Sequence, residues 1–205
     1  MKPLSLFNGQ KTANSRHLDF GCGSSPRNPF LCRELYTVDL YGSGQGKNEF
    51  VIKLGDPLPF PDNHFTSISA YDVLEHISRD IYGKNLFVFY MNELCRVLKH
   101  EGHAIFVFPS YPHRDAFSDP THINYITVDT LNYFLGDNTS GSYAGITTAY
   151  KQCRNRRLRF WKKWVEDPNI SEIERLNFRR KLSLAKRSFF RVINPGHRIW
   201  ILKKL

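Results

Sequence analysis

Leu18-Asp19-Phe20-Gly21-Cys22-Gly23-Ser24-Ser25-Pro26 is the stretch that decides the fold. Arg16–Phe20 has the apolar, β-rich character of a short strand, and it breaks at Gly21-Cys22-Gly23. Glycines in such a turn let the backbone approach a ligand closely and take φ values closed to other residues. A strand feeding that turn presents it at the carboxyl edge of a parallel sheet, where nucleotide-like ligands bind. A dinucleotide fingerprint, G-x-G-x-x-G, asks for a third glycine where this chain has Pro26, and that departure counts against a nicotinamide cofactor.

On either side of this turn the chain alternates strand and helix. A helix is expected around Pro29–Glu34, followed by strands at Leu35–Leu40, Phe50–Lys53 and Phe65–Ala70. Leu86, Phe89, Tyr90, Leu94, Val97 and Leu98 recur at helical spacing within Ile81–His100, and Glu101-Gly102 is a suitable helix stop. His103–Phe108 reads as a strand, Ser110–Thr127 as a polar loop, Thr127–Leu135 as a short helix and Ala144–Lys151 as a strand. Arg154–Arg191 is basic and reads as mostly helical, and Gly196–Lys203 reads as a closing strand. Such alternation predicts an α/β, doubly wound Rossmann-like sheet. One domain is expected, with a core over 1–153, a basic helical insertion or cap over 154–191 and a closing core strand over 192–205.

Beyond the glycine turn, acids recur at strand ends. Asp39 ends the second strand, where a carboxylate can accept hydrogen bonds from both hydroxyls of a ribose. Asp56 follows the third strand within LGDPLPFPDNHF (residues 54–65), and Ala70-Tyr71-Asp72-Val73-Leu74-Glu75-His76 ends the fourth. In this order LDFGCG, the acid after the second strand, LPFPDNHF, DVLEHI and ELCRVLKHEGH resemble the class I S-adenosylmethionine-dependent methyltransferases, most of all the domain that modifies small molecules and sugars. The resemblance covers roughly the first half of the chain. It implies a methyltransferase sheet of seven strands, the last antiparallel, and S-adenosyl-L-methionine as cofactor. It also implies that Asp19 and Gly21 face the methionine amino group and that Gly23 lets the turn pass beneath the cofactor. Asp39 would then hold the ribose, Leu40 lie against adenine, Asp56 meet the adenine amino group, and the backbone of Ala70 or Tyr71 close over the methionine moiety. Asp39 and Asp56 also have a plain reading as turn formers. Glu75 and His76 are read as capping or packing residues behind the site.

Methyl transfer from a sulfonium to a hydroxyl is an in-line displacement in which alignment does most of the work and a base removes the hydroxyl proton. The loop after the fifth strand rises beside the cofactor and concentrates His113, Asp115, Asp119 and His122. His122 is the first candidate base, with Asp119 to orient it and His113 as the second candidate. Two other readings of this loop stay open: Asp115, Asp119 and His122 as ligands of a divalent cation, or the same residues as turn formers that shape the loop.

The net charge of +10 is unevenly spread: residues 151–205 carry 17 Lys+Arg against 4 Asp+Glu. A basic, aromatic-rich segment suits an acidic partner: a phosphorylated or lipid-linked glycan precursor, an anionic membrane surface or nucleic acid. Neither an Asn/Asp-Pro-Pro-aromatic motif of amino-methylating DNA enzymes nor a Pro-Cys pair for carbon methylation is present. Cys22, Cys32, Cys95 and Cys153 form no C-x-x-C pair, which argues against a zinc or dithiol site. The first residues hold no apolar run of signal or membrane-span length, so a cytoplasmic protein is expected, peripheral at a membrane if the basic segment docks there. The expected activity is O-methylation of a sugar or other small hydroxylated, anionic or neutral acceptor. The alternatives are an RNA or other nucleic-acid methyltransferase, and an inactive methyltransferase-like binding module.

Overall fold

Arg16–Phe20 (β1) lies inside a seven-stranded sheet, between Glu34–Asp39 (β2) and Phe65–Tyr71 (β4), and pairs with both in parallel. Glu49–Val51 (β3) adds to β2, and Leu98–Pro109 (β5) adds to β4, again in parallel. His197–Lys204 (β7) runs antiparallel beside β5, and Tyr150–Leu158 (β6) closes that edge antiparallel to β7. The order is therefore β3-β2-β1-β4-β5-β7-β6. This computed structural model describes residues 14–42, 44, 46–79, 83–136, 145–158 and 196–205. The doubly wound sheet with its last strand antiparallel is the one expected. Its winding reverses between β1 and β4, and a crevice opens outside the carboxyl ends of strands at such a point.

Strand periodicity sorts the core. Ala104, Phe106 and Phe108 of β5 and Trp200 and Leu202 of β7 face one side, where Leu18, Phe20, Ile68 and the apolar stripe of Leu86–Val97 (α1) meet them. Ile105, Val107, Ile199 and Ile201 face the other side, with Tyr71, Phe30 and Cys32. Each fully buried aliphatic or aromatic side chain here contributes about 1.5–3 kcal/mol. The loop before β4 is held by α1: Arg96 donates to the carbonyls of Phe60 and Leu58 and to Asp62, while Glu93 accepts from the Leu58 N–H.

Three local expectations are corrected. Residues 24–33 form no helix: Asn28 bonds the N–H and the carbonyl of Cys32 with its side chain and Leu31 takes φ 53°, closing a turn before helical hydrogen bonds can start. The α1 helix starts later than expected, where Asn85 caps it by accepting from the Val88 N–H, and its C-terminus runs directly into β5. Residues 154–158 belong to β6 rather than to a helix, because Arg154–Leu158 pair with His197–Ile201 of β7. The rest of the expected basic helical segment, 159–191, lies outside the described residues. Among the described residues no helix is long and apolar enough to cross a membrane.

A chain of side-chain hydrogen bonds crosses beneath the sheet's carboxyl edge. Ser69 Oγ donates to Asp19 Oδ1 at 2.6 Å. With its single proton committed, Ser69 accepts from His17 Nε2–H at 2.8 Å. His17 Nδ1 then carries the lone pair and accepts from Ser67 Oγ at 2.8 Å, and Ser67 in turn accepts from the Cys32 thiol at 3.2 Å. Burial pushes the His17 pKa down to about 3 from an ordinary 6.5. A lowered imidazole pKa means that protonation is resisted only in the folded chain, so the stability this provides is lost as pH falls from about 6.5 towards 3. Urea unfolding at about pH 7 and pH 4.5 is expected to show a loss of about 2–3 kcal/mol from this group. His17→Gln should remove most of that difference, and an unchanged difference would contradict the assignment.

Candidate functional site

The turns after β1 and β4 face each other across the crevice. Gly21 has φ +68°, and a Cβ there would stand 2.4 Å from Val73 Cγ2, so only glycine permits this approach. Gly23 has φ +53° and opens onto free space, with nothing within 4 Å of a Cβ built there. Its N–H donates to Asp39 Oδ2 at 2.8 Å, and the Tyr41 N–H donates to Asp39 Oδ1 at 3.1 Å. The acid that ends β2 thus orients the glycine turn while itself standing at the cleft wall.

The cleft between these turns has a volume of about 220 Å³. Phe20, Leu40, Ile52, Leu54 and Tyr90 make it largely apolar, and Asp39, Asp72 and His76 supply its polar side chains. An apolar slot for a purine, a carboxylate for two ribose hydroxyls and an open glycine turn fit S-adenosylmethionine.

A second recess of about 360 Å³ adjoins the cleft and shares Asp72 and His76 with it. Glu75, Pro109, Asp115, Ser118, Asp119, His122 and His197 complete its wall. The loop that carries Asp119 and His122 is sewn onto the turn Leu74–His76. Ile123 and Asn124 N–H both donate to the Glu75 carbonyl, and the Asn124 side chain donates to the carbonyls of Leu74 and Ile77. His76 and His122 are thereby brought to a ring separation of 4.7 Å. Opposite them, His197 Nε2 lies 3.3 Å from Asp72 Oδ1, and Asp72 has the strained φ of 50°. Burial, reinforced by Asp72 and then Asp119, raises the Glu75 carboxyl to about 8. Asp119 is held below its ordinary value by the Thr121 hydroxyl and N–H.

Of the residues singled out from sequence, Gly21, Gly23, Asp39 and Leu40 line the cleft. Asp19 lies behind the wall: it is 1% exposed, its oxygens accept from Ser69 Oγ and from the Arg27 N–H, and burial raises its pKa to about 6. It ties the glycine turn to β4. Asp56 accepts from the Lys53 N–H and closes a turn outside the cleft wall, which Ile52 and Leu54 form instead. Ala70 is core, and Tyr71 packs on the other face of the sheet beneath the Arg27 guanidinium, 4.6 Å from its ring centroid. The wall after β4 is formed by the next residues, Asp72 and Val73.

His122 and Asp119 both reach the recess, but the imidazole Nε2 stands 4.0 Å from the nearer carboxylate oxygen, too long for a side-chain hydrogen bond. His113 is absent from the recess wall and lies 3.3 Å from Asp115. Glu75 and His76, expected to stand behind the site, line the recess. His197 had no signal of its own, since its place follows from a strand pairing that sets it opposite Pro109.

The family model described as methyltransferase domain matches residues 18–106. No curated protein matches the chain in sequence. Among solved structures, the YcgJ protein from Bacillus subtilis is similar with a TM-score of 0.52 and 16% identity, over 96% of this chain and 94% of that one. A SAM dependent methyltransferase from Archaeoglobus fulgidus gives 0.51 and 16% over 96% and 89%. The geranyl diphosphate C-methyltransferase from Streptomyces coelicolor A3(2), in complex with Mg2+, geranyl diphosphate and S-adenosyl-L-homocysteine, gives 0.53 and 12% over 97% and 74%. At these identities the likeness is one of fold.

The double use of Asp39 leads to a direct test. Asp39→Ala removes two charge-assisted anchors of the cleft wall together with the carboxylate expected to accept from the ribose, so S-adenosylmethionine binding measured by calorimetry is expected to weaken roughly 10- to 100-fold. Unchanged affinity would overturn the proposed cofactor contacts. The matched sequence, the glycine turn and the sheet order agree: residues 18–106 of this chain match the methyltransferase-domain model and lie in a sheet of Rossmann-like methyltransferase fold.

Proposed function

We propose that this protein methylates a hydroxyl oxygen of a small acceptor, a sugar or similar polyol, bound in the recess beside the cofactor cleft. The observation that carries this reading is the shared wall: Asp72 and His76 belong to both cavities, so ligands in the two would meet there. S-adenosylmethionine, when bound, supplies an electrophilic methyl group whose thioether leaves uncharged. The residues of the recess then have two tasks, to align the acceptor oxygen and to take its proton.

His197 is suited to the second task. Its imidazole stands 3.3 Å from the Asp72 carboxylate, which would stabilise the imidazolium formed on proton transfer. His122 lacks such a partner, because the nearest oxygen of Asp119 is 4.0 Å away and the other accepts from Thr121. We therefore assign His122 to the acceptor side of the recess and His113 to positioning Asp115. Asp72, Glu75, Asp115 and Asp119 rim the recess, which favours a neutral polyol over a phosphate in direct contact. The basic charge of residues 151–205 supports a more distant contact with the anionic part of a phosphorylated or lipid-linked acceptor.

His197→Gln is expected to lower kcat by about 10²–10⁴-fold with cofactor affinity kept within a few-fold, as followed by methyl transfer to a panel of sugars and polyols. Undiminished turnover would remove His197 as base. Turnover confined to RNA, with binding that falls steeply with salt, would replace the polyol reading.

A further inference from the structure

We propose that Glu75, His76 and His122 bind a divalent first-row transition-metal ion where the recess meets the cofactor cleft. One ligating atom from each residue lies within 4.8 Å of the other two. Bonds of about 2.1 Å to a shared ion place neighbouring donors roughly 3.0–3.4 Å apart, so the donors have to draw in by roughly 1–2 Å to share one ion. Two imidazoles and a carboxylate suit a transition ion better than magnesium or calcium, which prefer all-oxygen sets.

Two independent features point to a missing cation. Glu75 is 1% exposed and neither of its carboxylate oxygens has a hydrogen-bond partner. A buried carboxyl without partners is costly, and a metal ion is one of the few groups that satisfies both oxygens at once. Asp72 and Asp119 add their negative potential at the Glu75 carboxyl, and among the described residues no Lys or Arg stands in the wall of the recess.

The hydrogen bonds around the two imidazoles leave the same nitrogen available in each. His122 Nδ1 is 3.2 Å from the Ala116 carbonyl, which only accepts, so Nδ1 carries the proton and Nε2 the lone pair. Thr121 Oγ1 donates its proton to Asp119 at 2.6 Å and therefore accepts from His76 Nδ1–H at 3.0 Å, which again frees Nε2. A proton on the far nitrogen held by a carbonyl or by a hydroxyl–carboxylate pair is the usual outer support of metal-binding histidines.

Three protein donors leave coordination positions for acceptor oxygens, so the ion would orient a hydroxyl pair beside the methyl donor. That role rests on the acceptor reading above, whereas ion binding does not. The full-length chain, stripped with chelator, is titrated with Mn2+ by electron paramagnetic resonance and with Zn2+ by calorimetry. One ion per chain is expected, with a rise in melting temperature, and Glu75→Gln and His122→Ala should each weaken binding at least about tenfold. In chelator Glu75→Gln should melt no lower than the unsubstituted protein, since it replaces a buried carboxyl that has no hydrogen-bond partner with a neutral amide of the same shape, and this separates ligand loss from misfolding. Absence of saturable binding of either ion, or equal affinity in Glu75→Gln, overturns the site. If no ion binds but His197→Gln abolishes polyol methylation, the metal site falls and the function stands. If one ion binds and no polyol is methylated, the function falls and the metal site stands.

Discussion

The approach of Gly21 to Val73 is the contact on which both cavities depend. With no Cβ in the way, the turn after β1 settles against the turn after β4, and the two together make the cleft floor. The same contact fixes where the chain leaves β4, and so directs Asp72, Glu75 and His76 towards the loop beyond β5. A side chain at Gly21 would push the second turn away and open the junction between the cleft and the recess. Sterics at one residue thus set the distance between two cavities.

The fold was legible because its signals are local. Strand hydrophobicity located β1, β2, β4 and β7, and the glycine turn and Asp39 both line the apolar cleft. ELCR in α1 has a physical reason to accompany LPFPDN: Glu93 and Arg96 bond the backbone of that loop and hold it in place. Where the reading failed, a nonlocal or side-chain interaction had overridden local pattern. Asn28 bonds to Cys32 and replaces a helix by a turn, and pairing with β7 turns Arg154–Leu158 into strand despite helical spacing. Asp19 and Asp56 were assigned to the cofactor from their place in the sequence, yet backbone N–H groups of their own loops engage both carboxylates.

The recess was the least legible part. His197 and Asp72 lie over a hundred residues apart, and only the antiparallel register of β5 and β7 puts His197 next to Pro109 at the recess. The approach of His122 to His76 depends on Asn124, whose amide satisfies two carbonyls of the turn after β4. No spacing rule encodes that anchoring. The recess is also electrostatically unlike the cleft. The cleft is largely apolar with Asp39 anchored in its wall, whereas the recess gathers acidic groups around a poorly solvated Glu75.

The hydrogen-bond chain from Cys32 through Ser67, His17 and Ser69 to Asp19 has a consequence for how this sequence can drift. Every member gives its proton in one direction, so the count of donors and acceptors balances only for the set as a whole. Replacing Ser69 alone would orphan an imidazole N–H and a carboxylate oxygen together, and replacing His17 alone would strand two hydroxyls. Tolerated changes at these five positions are therefore coupled, and relatives of this protein should inherit either the whole chain or a differently balanced one.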